Sequence, residues 1–168
     1  IRPCRHRVIV TCFASNLARL HSLADIAFDC GRYAALLGRS LTHMHSIGRA
    51  QGYLPGRPGY IGPWELGHLP REQQLWVCTG SQGEPGAALG RLAAGSHPHL
   101  SLEPGDTVIF SSRLIPGNEV ALERIKQGLK EQGVELIDDD MQPEVHASGH
   151  PPQDDLRQLY SWLKARYL

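Results

Sequence analysis

The stretch VIVTCFASNLARL, residues 8–20, joins a short apolar run to a helical pattern through a small polar turn. Residues 8–12 predict a strand, because they form a short apolar run followed by turn-forming residues. Ser15 or Asn16 would cap the following helix, whose apolar residues recur at helical spacing up to a stop near Gly31. A strand that leads through a turn into a helix is the unit from which parallel α/β sheets are built.

Short apolar runs alternate with longer helical patterns along the rest of the chain. This alternation indicates βαβ units and a mainly parallel sheet. Further strands are predicted at 33–37, 75–78, 107–110 and 134–137, and further helices at 41–51 (beginning through Ser40), 87–94, 118–132 and 154–166. We therefore predict an α/β fold, a mainly parallel five-stranded sheet with helices on both faces in a Rossmann-like, three-layer arrangement.

One domain over residues 1–168 accommodates these elements, since 41% of the residues are apolar and can form a core. Residues 52–70 are dense in Gly and Pro and predict a long surface loop with one short helical turn near Trp64. Because the chain begins at Ile1, within a few residues of a strand, we expect either a trimmed chain or a fragment of a larger enzyme.

The charge balance and the cysteines restrict the class of protein. Seventeen basic residues balance seventeen acidic ones, so a polyanion would have to be held by a local site. The four cysteines form no C-x-x-C pair, which favours reduced thiols and a cytoplasmic location. No apolar run approaches the roughly 20 residues needed to cross a bilayer, so we expect no membrane association.

Three small polar turns follow predicted strands: CFASN at 12–16, TGSQGEPG at 79–86 and SSRLIPGNE at 111–119. Turns at the carboxyl ends of parallel strands lead into helix N-termini, whose free N–H groups favour a phosphate-bearing ligand. The alternative is that these residues only cap helices. The P-loop, G-x-G-x-x-G and G-x-S-x-G patterns are all absent, so a simple nucleotide-binding Rossmann domain is the second interpretation.

The stretch EVHASGHPPQDDL, residues 144–156, places His146 and His150 four residues apart. Gly149 and Pro151 disfavour a helix through the pair, and the other ligands of a metal site are missing. We therefore predict no metal site in this chain. Phosphate recognition and proton transfer are the roles left open for the two histidines. The Ser148 hydroxyl and the Gly149 backbone N–H would be further hydrogen-bond donors.

Five sequence blocks resemble the β-CASP domain of bacterial ribonuclease J. They are VIVTCFASNLARL, LLGRSL, VCTGSQGEPGAAL, GDTVIFSSRLIPGNE and VHASGHPPQDDL, in this order and over nearly the whole chain. The family consists of metallo-β-lactamase-fold nucleases that cleave RNA phosphodiester bonds endonucleolytically and, from a 5′-monophosphate end, in the 5′ to 3′ direction. The resemblance implies a β-CASP domain that covers a two-zinc site as a lid, with RNA in the cleft between the domains.

The resemblance also implies roles for individual residues. His150 would assist proton transfer at the scissile phosphate, and Ala147 replaces the more usual valine. The implied substrate-phosphate segment is His146, Ala147, Ser148, Gly149 and His150. The implied lining of the same cleft is Ser15, Asn16, Ser81, Gln82 and Gly83.

The zinc motifs of the family, H-x-H-x-D-H and a later H-G-E, do not occur in this chain. We therefore expect no cofactor in this chain, two zinc ions in the parent enzyme, and no catalysis by the chain alone. The expected partners are RNA and the metallo-β-lactamase domain of the parent chain. Two alternatives stay open: a non-catalytic nucleotide- or RNA-binding Rossmann-like module, and a contact domain or homo-oligomer that uses residues 56–66.

Overall fold

The computed structural model describes residues 1–54, 59–98, 100–146 and 151–164. The strands are β1 (Val8–Thr11), β2 (Tyr33–Leu37), β3 (Gln74–Cys78), β4 (Thr107–Phe110) and β5 (Glu135–Ile137). The helices are α1 (Leu17–Asp29), α2 (Arg39–Ala50), α3 (Pro63–Gly67), α4 (Ala88–Ala93), α5 (Glu119–Glu131) and α6 (Gln153–Leu163). Short 3-10 helices lie at Arg71–Gln73 and Pro143–Val145. All strand pairings are parallel, in the order β2-β3-β1-β4-β5.

The sheet is buried on both faces. Ile9 and Trp76 pack on one face in a core shared with α4 and α5. Val8, Val10 and Leu75 pack on the other face in a core shared with α1 and α2. Successive strand residues point to opposite faces, so a strand covered on both sides is mostly apolar, as Val8, Ile9 and Val10 of β1 are. The predicted five-stranded α/β fold with helices on both faces is confirmed.

Helix α2 begins earlier than predicted. The expected start was residue 41 through Ser40, whereas the helix begins at Arg39 and its N-cap is Gly38. Gly38 has φ +129°, and a Cβ there would lie 2.8 Å from the Thr79 Oγ1 atom. Only glycine fits this left-handed position against the neighbouring loop, so tertiary contact rather than the capping preference of Ser40 sets the start of the helix.

The loop predicted at 52–70 contains the expected helical turn, since α3 includes Trp64. Helix α6 also forms, but none of its residues is buried, and Trp162 is 70% exposed. Among the helices of the described residues, none combines the length and the apolar character needed to cross a bilayer.

Buried arginines hold the amino ends of the strands together. Asp106, fully buried before β4, accepts from Arg7 at 3.3 Å and from Arg71 at 2.7 Å. Arg32, before β2, donates to the backbone carbonyls of Cys4 and His6. These contacts stabilise the edge of the sheet opposite the predicted site.

Candidate functional site

The carboxyl ends of β1, β2 and β3 border a groove with a volume of about 1310 Å³. Cys12 and Phe13 reach it from the end of β1, Gly38 from the end of β2 and Thr79 from the end of β3. Strands β1 and β2 continue to helices on one face of the sheet, whereas β3 and β4 continue to helices on the other. Ligands of open α/β sheets bind where the connections diverge in this way.

The turn after β1 places Ser15 and Asn16 at the same edge of the sheet, and both are exposed. Asn16 is the N-cap of α1, and its Oδ1 atom accepts the Arg19 backbone N–H at 2.9 Å. The predicted capping role is therefore confirmed for Asn16, and its carboxamide oxygen is already engaged within the protein. Substrate contacts of these two residues stay predictions.

The turn after β3 is locked to the loop after β4 by the side chain of Gln82. Its Nε2 atom donates to the Arg113 carbonyl at 2.9 Å, and its Oε1 atom accepts the Ile115 N–H at 2.9 Å. Gln82 is 6% exposed, and Ser81 is 1% exposed with a hydroxyl that has no partner in the described part of the chain. Gly83 has φ +76°. These residues stabilise the conformation of the turn. Their contact with substrate stays a prediction.

Residue 145 is tethered to the same edge, directly before the predicted substrate-phosphate segment. The Val145 carbonyl accepts the Ser111 hydroxyl at 2.7 Å and an Arg19 N–H at 3.0 Å. Arg19 also donates to the Ser111 hydroxyl. The segment that begins at His146 therefore starts between the end of β4 and the first turns of α1. Sequence analysis singled out the turn 111–119, which begins at Ser111, but it did not identify Arg19.

His146 is partly buried, and its Nδ1 atom has no hydrogen-bond partner among the residues that the structure describes. The remaining residues of the predicted segment, Ala147, Ser148, Gly149 and His150, lie outside the described residues. His146 is thus the member of the segment that can be placed at the carboxyl edge.

The thiols nearest the groove are not nucleophiles at neutral pH. Burial raises the pKa of Cys12 to about 11, although the positive charge of Arg19 opposes the shift. Burial raises the pKa of Cys78 to about 12. Because the thiolate is the reactive form of cysteine, both side chains act as neutral core groups.

The described residues do not fit the zinc site that the family resemblance implies for the parent enzyme. Across residues 1–54, 59–98, 100–146 and 151–164, no three His, Cys, Asp or Glu side chains converge on a common point. In the acidic run 138–140, burial acts to raise the pKa of Asp138, but hydrogen bonds from Lys126 and the Met141 N–H together lower it. Asp138 thus forms an ion pair with Lys126, in which Oδ2 and Nζ are 2.7 Å apart.

A parallel α/β sheet with polar turns and a groove at its carboxyl edge places the chain in the Rossmann-like class of α/β folds. Comparison with known families identifies the module more closely. The family described as "Ribonuclease J, beta-CASP domain" matches residues 5–129, and the chain belongs to this family.

Relatives named Ribonuclease J align with nearly the whole chain. The protein of that name from Sinorhizobium meliloti is 42% identical over 162 residues, which are 96% of this chain and 28% of the relative. Ribonuclease J 1 from Streptococcus pyogenes is 41% identical over 162 residues, 96% of this chain and 29% of the relative. Ribonuclease J from Thermus thermophilus is 38% identical over 161 residues, which are 96% of this chain and 28% of the relative. The chain therefore spans less than a third of the length of these relatives.

Proposed function

We propose that this chain is the β-CASP part of a ribonuclease J-like enzyme that hydrolyses RNA phosphodiester bonds, and that it holds RNA at the carboxyl edge of its sheet. The supporting observation is the tether on Val145, which brings the His146 segment of this family member to the edge that carries the groove. Both exonucleolytic cleavage in the 5′ to 3′ direction and endonucleolytic cleavage belong to the proposal.

The proposed role of the segment 146–150 is to grip a phosphate and to move a proton. A histidine near neutral pH can donate to a phosphate oxygen when charged and can pass a proton to a leaving oxygen. We assign the second task to His150. General acid catalysis by one group contributes roughly 10²- to 10⁴-fold, which is too little for hydrolysis of a phosphodiester alone. The chain by itself is therefore expected to bind RNA without cleaving it.

The metal chemistry of the proposed enzyme belongs to another part of the parent protein, the metallo-β-lactamase domain. When bound, two zinc ions would supply an activated hydroxide and stabilise charge on the displaced oxygens. Helix α6 supports the presence of a partner surface, because its apolar side chains stay uncovered: Trp162 is 70% exposed and Leu163 is 62% exposed. Such an exposed apolar face is typical of a site that meets another protein surface.

We also propose a cytoplasmic location, which is supported by four cysteines that are all free thiols. A homo-oligomer is compatible with the same uncovered helix face. In that case the face of α6 would meet a second copy instead of the metal-binding domain.

The test of the proposed function is RNA binding by the purified chain across a salt series. We expect affinity for single-stranded RNA to fall with rising salt, by about 0.7 in logarithmic slope for each phosphate contact. Binding should be tighter for a 5′-monophosphate end than for a 5′-hydroxyl end. The preparation should hold no stoichiometric zinc and should not hydrolyse the RNA.

Two histidine variants separate the proposed segment from the rest of the surface. His146→Ala should weaken binding of the 5′-monophosphorylated RNA about tenfold through loss of a charge-assisted hydrogen bond. The control is His21→Ala, since His21 lies on α1 and pairs with Asp25 at 3.0 Å. Absence of RNA binding at low salt, or tight stoichiometric zinc, would overturn the proposal. Binding that is insensitive to the RNA end and to His146→Ala would favour the non-catalytic binding module.

A further inference from the structure

Two arginines face the groove from opposite sides. Arg39 is the first residue of α2, and Arg91 lies on α4, which packs on the other face of the sheet. Both side chains are exposed, and neither forms an ion pair with a carboxylate among the described residues. Glu84, an acidic residue of the lining, accepts the Gln82 backbone N–H at 3.0 Å and thereby stabilises the turn that contains both residues.

Phe13 supplies an aromatic surface to the same groove. It follows β1 directly, lines the groove and is 37% exposed. A partner that covers the exposed part of this ring gains free energy from the apolar area that it buries. Basic side chains that track a backbone, together with an aromatic ring on which a base stacks, are the combination that binds single nucleic-acid strands.

The local charge of the groove matters because the chain as a whole has a formal net charge of +0. No long-range field draws a polyanion to the molecule, so attraction depends on unpaired cations such as these arginines. The guanidinium group is suited to the task, since its planar donors match a phosphate in pairs. A volume of about 1310 Å³ also exceeds that of an ordinary small-molecule pocket, which is at most roughly 1,000 Å³.

We propose that the groove is a strand-binding site in which Arg39 and Arg91 contact successive phosphates of an RNA backbone while Phe13 stacks on one unpaired base. The inference rests on the proposed function and deepens it, because it assigns binding residues outside the segment 146–150. A strand in this site lies across the ends of β2, β3 and β1.

The experiment measures the affinity of the chain for a single-stranded RNA at several salt concentrations. The double variant Arg39→Gln, Arg91→Gln should reduce the logarithmic salt slope by about 1.4, which is about 0.7 for each lost phosphate contact. Arg39→Lys with Arg91→Lys should keep the slope of the parent chain. Phe13→Ala should weaken binding about tenfold and leave the slope unchanged, because stacking releases no counterions.

A matched control carries the same change of charge elsewhere. Arg5 lies before β1 at the amino edge of the sheet, and Arg124 is exposed on α5; neither lines the groove. The double variant Arg5→Gln, Arg124→Gln should keep the slope of the parent chain. Thermal melts should show that the arginine variants remain folded, since the altered arginines are exposed, and should be recorded for Phe13→Ala as well.

The possible outcomes separate this inference from the proposed function. If the parent chain binds RNA but the groove variant and the control variant share one slope, the RNA site lies elsewhere and the inference is overturned. If the groove variant loses affinity for a mononucleotide as strongly as for the RNA, the site takes a small ligand and the strand-binding inference fails. If the parent chain binds no RNA at low salt, the proposed function itself fails.

Discussion

Replacement of Gln82 by alanine tests whether this residue stabilises the loops at the carboxyl edge or contacts substrate. Its carboxamide makes two good hydrogen bonds, to the Arg113 carbonyl and from the Ile115 N–H, both at 2.9 Å. Two weaker ones, with Ser112 and Asn118, are 3.3 Å long. A typical intramolecular hydrogen bond contributes about 1 kcal/mol, so the two good bonds together contribute about 2 kcal/mol.

The former hydrogen-bond partners of Gln82 lose little further free energy when the carboxamide is removed. Arg113 and Ile115 lie in an exposed loop, where water can replace the lost carboxamide. We therefore expect Gln82→Ala to lower the free energy of unfolding by about 2 kcal/mol. For a domain of this length that loss corresponds to a melting temperature lower by about 4–8 °C.

Urea denaturation, followed by far-ultraviolet circular dichroism, measures the change. Gln127→Ala is the matched control, because Gln127 is exposed on α5 and bonds only Glu131 of the same helix turn among the described contacts. It should cost less than about 0.5 kcal/mol. A Gln82→Ala protein as stable as the control would refute the structural role. If such a protein also lost RNA affinity, the glutamine would contact substrate directly.

Two further substitutions and one pH profile probe the stability of the fold. Asp106→Asn should lower the free energy of unfolding by about 3 kcal/mol, because it strips a buried carboxylate from the buried guanidinium of Arg7. Gly38→Ala should lower it by about 2 kcal/mol, since the new Cβ meets Thr79 at 2.8 Å with φ at +129°. For Cys12, whose pKa rises from 9.0 to about 11, the unfolded thiol ionises first, so its contribution to stability is constant below pH 9.0 and falls by about 1.4 kcal/mol per pH unit up to about pH 11. Cys78, whose pKa rises from 9.0 to about 12, adds a similar fall over the same range.

Each of these three predictions has its own comparison in urea denaturation. Asp139→Asn, whose partner Arg113 is 3.6 Å away on the surface, should change stability by less than about 1 kcal/mol. Gly52→Ala, with φ +77° and open space around its Cα, should cost only about 1 kcal/mol of strain. Cys12→Ala should remove about half of the decline between pH 9.0 and about 11, because Cys78 titrates late over the same range. Equal effects in either pair, or an unchanged pH profile, would contradict the assigned cause.

The fold could be predicted because the information that sets it is local. The run VIVT is apolar at three of the four buried positions of β1, and Asn16 carries its own capping chemistry. Helix α6 shows where local information stops. Its periodicity predicts an apolar face correctly, but the sequence of this chain does not say which surface covers that face, and none of its residues is buried.

The site could be predicted only in part, because its contacts join distant positions of the chain. Arg19 bonds Ser111, 92 positions away, and the Val145 carbonyl, 126 positions away. Nothing near Arg19 in the sequence marks it as more than a residue of the first turn of α1. Gly38 was missed for the same reason, since its need for glycine comes from Thr79 in another loop.

The strand order explains how the groove and the His146 segment can serve one ligand. Strand β1 lies between β3 and β4, so its end separates Thr79, on the groove side, from Ser111, on the side of the tether. Neighbouring strands are about 4.8 Å apart, and the distance from the end of β3 to the end of β4 is therefore only about 10 Å. The turn after β1 contributes to both sides, with Phe13 in the groove and Arg19 on the Val145 carbonyl. If the groove holds an RNA strand as proposed, that strand has about this distance to cover to the side of the sheet where His146 lies.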